Sequence, residues 1–158
     1  MPLILIHIED GKNDEQKGGV CADITRAVAT YFHEPEQAVR IIFNEAKPNQ
    51  VSYRGWLKSS EAYKSSIDEI VATNPYAQPE LPLVILYTEV GKTDDMFAGI
   101  AKGITDAIST HLDIPALAVR IVFEVMEENR VASGGLLEST PEYKNKMVEM
   151  KKLAPTLQ

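Results

Sequence analysis

Two spacings of hydrophobic residues alternate along this chain. Residues 2–8 are largely apolar and β-branched, and Asp10-Gly11 follows as a turn signal, which predicts a strand. From about 15 to 32 the apolar residues recur every three or four positions, which predicts a helix with Asp14 as its N-cap. The residues expected on the buried face of this helix are Val20, Ile24, Ala27, Val28 and Tyr31.

A second strand is predicted soon after the helix. Pro35 interrupts the helical pattern, and residues 38–43 are again largely apolar. A strand, a helix and a strand in this order indicate a parallel pair of strands with a right-handed crossover.

The whole pattern occurs twice. A shift of 80 residues aligns PLILIHIEDGKND (2–14) with PLVILYTEVGKTD (82–94), and EPEQAVRIIF (34–43) with IPALAVRIVF (114–123), without a gap. Such a repeat indicates duplication of one structural unit. The second copy predicts strand 82–88, helix 94–111, a break at Pro115 and strand 118–125.

The chain is therefore expected to be a single domain, 1–158, made of two fused modules. The first βαβ module takes residues 1–73, and the second takes residues 82–158. Residues 74–81 are rich in proline and polar side chains, which is typical of a linker.

The predicted fold class is α/β (α+β), with a four-stranded sheet and two helices on one face. Gly-containing segments at 46–57 and 126–137 predict a loop or a short hairpin in each module. A short helix follows each segment, starting near Ser59-Ser60 and near Ser139-Thr140, and the first of these is expected to be longer.

The other face of this sheet lacks a cover within the chain. Leu3, Ile4, Leu5 and Ile6 leave little polar alternation, so both faces of the sheet are expected to be apolar. No further helices are predicted that could cover the second face. Burial alone therefore predicts an oligomer.

Composition and charge narrow the class of partner. The 158 residues carry a formal net charge of −7, which argues against nucleic acid or an anionic membrane, although a locally cationic pocket for a small anion remains compatible with it. Cys21 is the single cysteine, so no intrachain disulfide is expected. Neither a signal peptide nor a run of 18 apolar residues is found, and the expected location is cytoplasmic.

These features together resemble the tautomerase superfamily. Pro2 directly follows the initiator methionine, and an apolar strand, the turn Gly11-Lys12, an amphipathic helix and the segment AVRIIFNE (38–45) come after it. The chain most resembles 4-oxalocrotonate tautomerase in a fused, two-module form, and the resemblance covers most of both modules. It implies an enzyme without a cofactor, whose N-terminal proline amine moves a proton between carbon and oxygen of an enol acid.

The prolines that open the two modules differ in chemistry. Methionine is normally removed before a small residue, so Pro2 is expected to carry a free secondary amine. An ordinary α-amino group has a pKa of about 7.7–8.0, and burial or nearby cations lower it towards the operating pH of a general base. The nitrogen of Pro82 lies in a peptide bond to Leu81 and has no proton to exchange. Each chain therefore holds at most one such site, with Pro2 as the candidate catalytic residue.

Basic residues at matching positions are the candidates for binding a small carboxylate substrate. The resemblance places Arg40 and its counterpart Arg120 where the family has a carboxylate-binding arginine, whose planar guanidinium can bind both oxygens. Lys12 and Lys92 stand where the family commonly has a second arginine, and a lysine supplies charge without that fork. The loop of one module reaches over the other module's proline in these folds, so Lys92 is the better candidate to face Pro2.

The largest difference between the modules lies at VSYRGW (51–56), where the second has VASGGL (131–136). The family builds a wall over its proline from this region, which makes Tyr53 and Arg54 candidates for contacting the substrate, with packing between subunits as the alternative. The modules also differ at His7 and Tyr87. The histidines lack the spacing of metal ligands, and neither a metal nor a cofactor is expected.

Three functions are compatible with these residues. The first is keto–enol isomerisation of small unsaturated, 2-oxo or 2-hydroxy acids with Pro2 as the base. The second is a dehalogenase, hydratase or decarboxylase of three-carbon acids with protonated Pro2, and the third is an inactive duplicated scaffold. Because single-module relatives form hexamers, the resemblance implies a homotrimer with the same six modules.

Overall fold

The structure, a computed structural model, describes residues 2–74 and 81–153. The first part contains β1 (Leu3–Glu9), α1 (Asp14–Phe32), β2 (Arg40–Ala46), β3 (Ser52–Tyr53), β4 (Trp56–Leu57) and α2 (Glu61–Thr73). The second part repeats this order with β5 (Leu83–Glu89), α3 (Asp94–Leu112), β6 (Arg120–Met126), β7 (Ala132–Ser133), β8 (Leu136–Leu137) and α4 (Pro141–Leu153). The βαβ repeat predicted from the sequence is confirmed.

The long strands form one four-stranded sheet in the order β2-β1-β5-β6. The pairs β1–β2 and β5–β6 are parallel, whereas β1 and β5 are antiparallel, with Leu3 opposite Tyr87 and His7 opposite Leu83. Each module's first strand therefore begins beside the end of the other module's first strand. The predicted fold class is confirmed, and this antiparallel junction decides which residues surround each proline.

The hydrophobic core lies between the sheet and the two long helices. Alternate residues of β1 and β5, together with one stripe on each helix, are fully buried there. The helices approach closely, because a Cβ added to Gly103 of α3 would lie 2.7 Å from the Cβ of Ala27 in α1. Among the described residues, no helix has both the length and the apolar character needed to cross a membrane.

Two details predicted for α1 are corrected by the structure. Its N-cap is Asn13 rather than Asp14, because the Asn13 side chain accepts a hydrogen bond from the Gln16 N–H (2.9 Å) and the Gln16 side chain accepts one from the Asn13 N–H (3.0 Å). Its buried face ends at Phe32 rather than Tyr31, which is 40% exposed. The Tyr31 ring instead lies against Gly99 on α3.

Some observed element boundaries also differ from the predicted ones. β2 and β6 begin two residues late because one 3₁₀ turn follows each proline breaker, at Glu36–Ala38 and Ala116–Ala118. The segments after these strands form short hairpins, β3–β4 and β7–β8. Both short helices have 13 residues, so the expectation that the first is longer is wrong for the described part of the chain. Most of the predicted linker, 75–80, lies outside the described residues.

The described residues leave the second face of the sheet uncovered. Its central row, read across the four strands, is Ile42, Leu5, Ile85 and Val122. The outer members of this row, Ile42 and Val122, are 49% and 43% exposed. We call this surface, which also carries Leu3, His7, Leu83 and Tyr87, the open face.

Candidate active site

Pro2 is buried at the start of β1, where the sheet brings the two modules together. Its carbonyl accepts a hydrogen bond from the backbone N–H of Arg40 at 3.1 Å. Since Leu3 pairs with Tyr87, continuing the antiparallel register by one residue sets Pro2 beside Thr88. Pro82 occupies the equivalent place in the second module, and its carbonyl accepts from the Arg120 N–H at 3.3 Å.

A cavity of about 380 Å³ opens beside Leu3, the residue that follows Pro2. Leu3 contributes to it from β1, and the end of β5, the end of β6 and the hairpin β7–β8 supply the remaining walls. The second module thus supplies most of the walls at the start of β1, because β1 and β5 are antiparallel. The lining residues are Leu3, Tyr87, Thr88, Glu89, Met126, Val131, Ala132, Ser133 and Glu138.

Two carboxylates give this cavity its charge. Glu138 Oε1 accepts hydrogen bonds from Ser133 Oγ (3.1 Å) and from the Tyr143 hydroxyl (3.2 Å). Desolvation first, and then the bond to Glu138, raises the pKa of Tyr143. The second carboxylate is that of Glu89, the last residue of β5. The cavity therefore suits a positively charged amine.

The equivalent end of the sheet, near Pro82, has different chemistry. Glu9 matches Glu89 in the repeat, and Lys58 matches Glu138. Lys58 Nζ lies 2.7 Å from Glu9 Oε2, and both side chains are at least three-quarters buried. The Pro2 end thus has a carboxylate, Glu138, where the Pro82 end has a lysine, Lys58.

Lys12 and Lys92 each cap a helix of the opposite module. Lys12 Nζ donates to the carbonyl of Leu112, the last residue of α3, at 2.7 Å. Lys92 Nζ donates to the carbonyl of Phe32, the last residue of α1, at 3.3 Å, and pairs with Glu34 Oε1 at 2.9 Å. A cation at a helix C-terminus is stabilised by the unsatisfied carbonyls there. The contacts found in the chain for both lysines are structural, and their role towards substrate stays a prediction.

Lys92→Met is expected to lower the free energy of unfolding by about 1–3 kcal/mol, because the 13%-exposed ammonium loses two charge-assisted hydrogen bonds and leaves Glu34 without this cation. Lys12→Met is the matched variant, with a smaller expected loss, since position 114 holds Ile where position 34 holds Glu. Urea unfolding of both variants measures the difference. A Lys92→Met protein as stable as wild type would contradict the capping role.

The two predicted arginines lie on the outer strands, at the edges of the open face. Arg40 pairs in register with Leu3 and Arg120 with Leu83, and both arginines are exposed. Arg40 Nη1 donates to the carbonyls of Gln37 (2.9 Å) and Val39 (3.4 Å). Neither guanidinium lines the cavity beside Pro2 within one chain.

Tyr53 and Arg54 lie in the hairpin of the first module, away from Pro2. Val51 and Ser52, which lead into them, line a cavity with Leu81 and Leu83 at the Pro82 end. The Arg54 guanidinium lies 5.8 Å from the centroid of the Tyr53 ring. Their predicted contact with a substrate at Pro2 therefore requires a different chain, and it stays a prediction.

The sequence reading missed the carboxylates of the cavity. Glu89 and Glu138 were not among the candidates, although the ungapped repeat contains the signal: Lys58 changes to Glu138 while Glu9 stays Glu89. Across residues 2–74 and 81–153, no group of three or more His, Cys, Asp or Glu side chains has the arrangement of a metal site.

Comparison with known proteins identifies the family. A family model described as tautomerase enzyme matches residues 2–59. A probable tautomerase of Staphylococcus aureus (strain Mu50 / ATCC 700699) is 30% identical over 61 residues, which are 39% of this chain and 100% of that protein. The chain belongs to the tautomerase family. The 2-hydroxymuconate tautomerase of Pseudomonas putida is 34% identical over 59 residues, 37% of this chain and 94% of that protein.

Solved structures extend the tautomerase likeness to both modules. A wild-type fused 4-OT, solved as an asymmetric trimer, aligns with a TM-score of 0.68 at 20% identity and covers 86% of this chain and 95% of that one. The FG41 malonate semialdehyde decarboxylase inhibited by 3-bromopropiolate aligns with a TM-score of 0.61 at 14% identity, over 92% of this chain and 96% of that one. At these identities the structures show a shared fold, that of a tautomerase with two fused modules.

Proposed function

We propose that this tautomerase-family protein is a cofactor-independent keto–enol isomerase of small unsaturated, 2-oxo or 2-hydroxy acids, with Pro2 as the general base after removal of Met1. The observation that carries the proposal is a cavity of about 380 Å³ lined by Leu3, the residue that follows the buried Pro2. That volume suits a short-chain acid. Apolar walls from Leu3, Met126 and Val131 limit the water around the reacting carbon and the amine.

As the base, Pro2 takes one proton from the substrate and returns one to it. The amine of Pro2 takes the proton from the enol hydroxyl of the substrate, and the resulting ammonium returns a proton to a carbon of the conjugated chain. A double bond moves from carbon–carbon to carbon–oxygen, and the enzyme ends in its starting state. The proline ring fixes the direction of the nitrogen lone pair during both steps.

The carboxylate of the substrate needs cations that the cavity of one chain does not supply. Arg40 and Arg120 are exposed on the edges of the apolar open face, so covering that face with other subunits brings these arginines to neighbouring sites. We propose a homotrimer of two-module chains, in which Arg40, Arg120, Tyr53 and Arg54 complete the sites of other subunits. The trimeric state of the structurally similar fused 4-OT supports this arrangement.

A second candidate function is favoured by Glu89 and Glu138. Carboxylates beside an amine stabilise its protonated form, and an ammonium acts as an acid. In that case Pro2 protonates a three-carbon acid during dehalogenation, hydration or decarboxylation. The malonate semialdehyde decarboxylase among the structurally similar proteins shares the fold within which such chemistry occurs.

Turnover of four candidate substrates by the purified, Met1-processed protein tests these functions. The isomerase proposal predicts ketonisation of 2-hydroxymuconate or phenylenolpyruvate, followed by ultraviolet absorbance, and slower or no conversion of 3-haloacrylate. Turnover of 3-haloacrylate or malonate semialdehyde with no ketonisation would favour the second function. A processed trimer that converts none of these substrates would contradict both. Intact mass spectrometry verifies the removal of Met1.

A further inference from the structure

The two ends of the sheet carry different charged side chains beside matching glutamates. Each carries a glutamate at the last position of the central strand, Glu9 in β1 and Glu89 in β5. At the Pro82 end, Lys58 supplies a positive charge 2.7 Å from Glu9. At the Pro2 end the matching residue is Glu138, which adds a second negative charge.

Removal of Met1 would add a positive charge at that end. The mature chain places a secondary amine at Pro2, beside Thr88 in the extended register and one residue from Glu89. Pro82, in its peptide bond, offers no such charge, and there the lysine is present instead.

We propose that Glu89 is the counter-ion of the Pro2 ammonium, with Glu138 as a second carboxylate, and that together they stabilise the protonated form of Pro2. The proposal rests on the proposed function in one respect, the free amine of Pro2. In this proposal the Pro2 ammonium stands to Glu89 as Lys58 stands to Glu9.

Other charged and titratable groups around Pro2 are engaged elsewhere or lie farther out. The ammonium of Lys92 binds the carbonyl of Phe32 and pairs with Glu34, and the Arg40 guanidinium binds backbone carbonyls of its own segment. Lys144 pairs with Glu128 at 2.9 Å beyond the cavity. The remaining titratable groups that face this region are Tyr87, Tyr143 and Lys151.

The protonation state of Pro2 determines the direction of proton transfer. A protonated Pro2 serves as an acid from the outset, whereas isomerisation with Pro2 as base uses the deprotonated fraction. The base-dependent rate is then expected to rise with pH through the pKa of Pro2, and an acid-dependent rate to fall. Glu89 thereby sets which of the two proposed chemistries is faster at neutral pH.

The experiment is an NMR titration of the Pro2 amine in the processed, full-length protein labelled with ¹⁵N-proline. Glu89→Gln is expected to lower the pKa of Pro2 by about one unit or more, since a neighbouring charge is removed. Glu138→Lys places a lysine where the Pro82 end has Lys58. This variant is also expected to lower the pKa of Pro2, because the introduced ammonium would pair with Glu89. The matched control, Glu9→Gln, changes the same residue at the Pro82 end and is expected to leave Pro2 unchanged.

The titration reads the amine directly, so it separates this proposal from the proposed function. A wild-type protein that fails to turn over any acid, but shows the shifts in Glu89→Gln and Glu138→Lys, would refute the function and keep the counter-ion. An unchanged titration in both variants, an equal shift in Glu9→Gln, or retention of Met1 would overturn the counter-ion.

Discussion

Replacing Pro2 with alanine is expected to lower the rate of ketonisation by about 10²-fold or more, because general acid–base catalysis by one positioned group contributes roughly that factor. The alanine variant keeps an α-amine after loss of Met1, but it loses the ring that fixes the lone pair. Pro2 is buried and immediately precedes Leu3, which lines the cavity where the acid is proposed to bind. The measurement is kcat and kcat/KM with 2-hydroxymuconate for the processed variant.

Pro82→Ala is the matched control for this experiment. Pro82 occupies the equivalent position in the second module and is equally buried, but its nitrogen is an amide. We expect its activity to stay within a few-fold of wild type, the change reflecting only local strand geometry. Equal losses in the two variants would mean that proline shapes the strand and performs no chemistry.

Placing a charge in the centre of the open face is expected to dissociate the proposed trimer. Ile85 lies in the central row between Leu5 and Val122, so Ile85→Asp puts a carboxylate in the surface that other subunits would cover. An unpaired buried charge costs several kcal/mol per ion, and the variant presents one in every subunit. Analytical ultracentrifugation should show a monomer, and ketonisation should fall with it because the arginines of other subunits are lost.

Ala22→Asp is the control for the open-face variant. Ala22 is exposed on α1, in the helical layer on the opposite side of the sheet, so the same new charge remains in water there. The variant is expected to stay trimeric and active. A trimer that survives Ile85→Asp would show that the open face is not where subunits meet, and it would remove the proposed source of the cations.

The repeat and its elements could be read from the sequence because they depend on local spacing. The period of two in the strands, the period of three to four in α1 and α3, and the ungapped shift of 80 residues are all visible along the chain. Errors arose where several local signals competed. Asn13 and Asp14 are both residue types that favour the N-cap position. Asn13 takes it because its side chain accepts a hydrogen bond from the backbone N–H of Gln16.

The expected difference in chemistry between Pro2 and Pro82 was also a prediction from the sequence alone, since Pro82 lies in a peptide bond to Leu81 and Pro2 follows Met1. The surroundings of those prolines were not. Whether β1 meets β5 in parallel or antiparallel orientation leaves the hydrophobic pattern unchanged, yet it determines that the second module walls the Pro2 cavity.

The tertiary structure likewise placed Lys12 and Lys92 on helix ends 100 and 60 residues away, and Glu138 in the cavity beside Pro2. These contacts join residues far apart in sequence, and they form only once the strand order brings the two modules edge to edge. A side chain's type limits what it can bind, but the packing of the whole chain decides what lies within its reach.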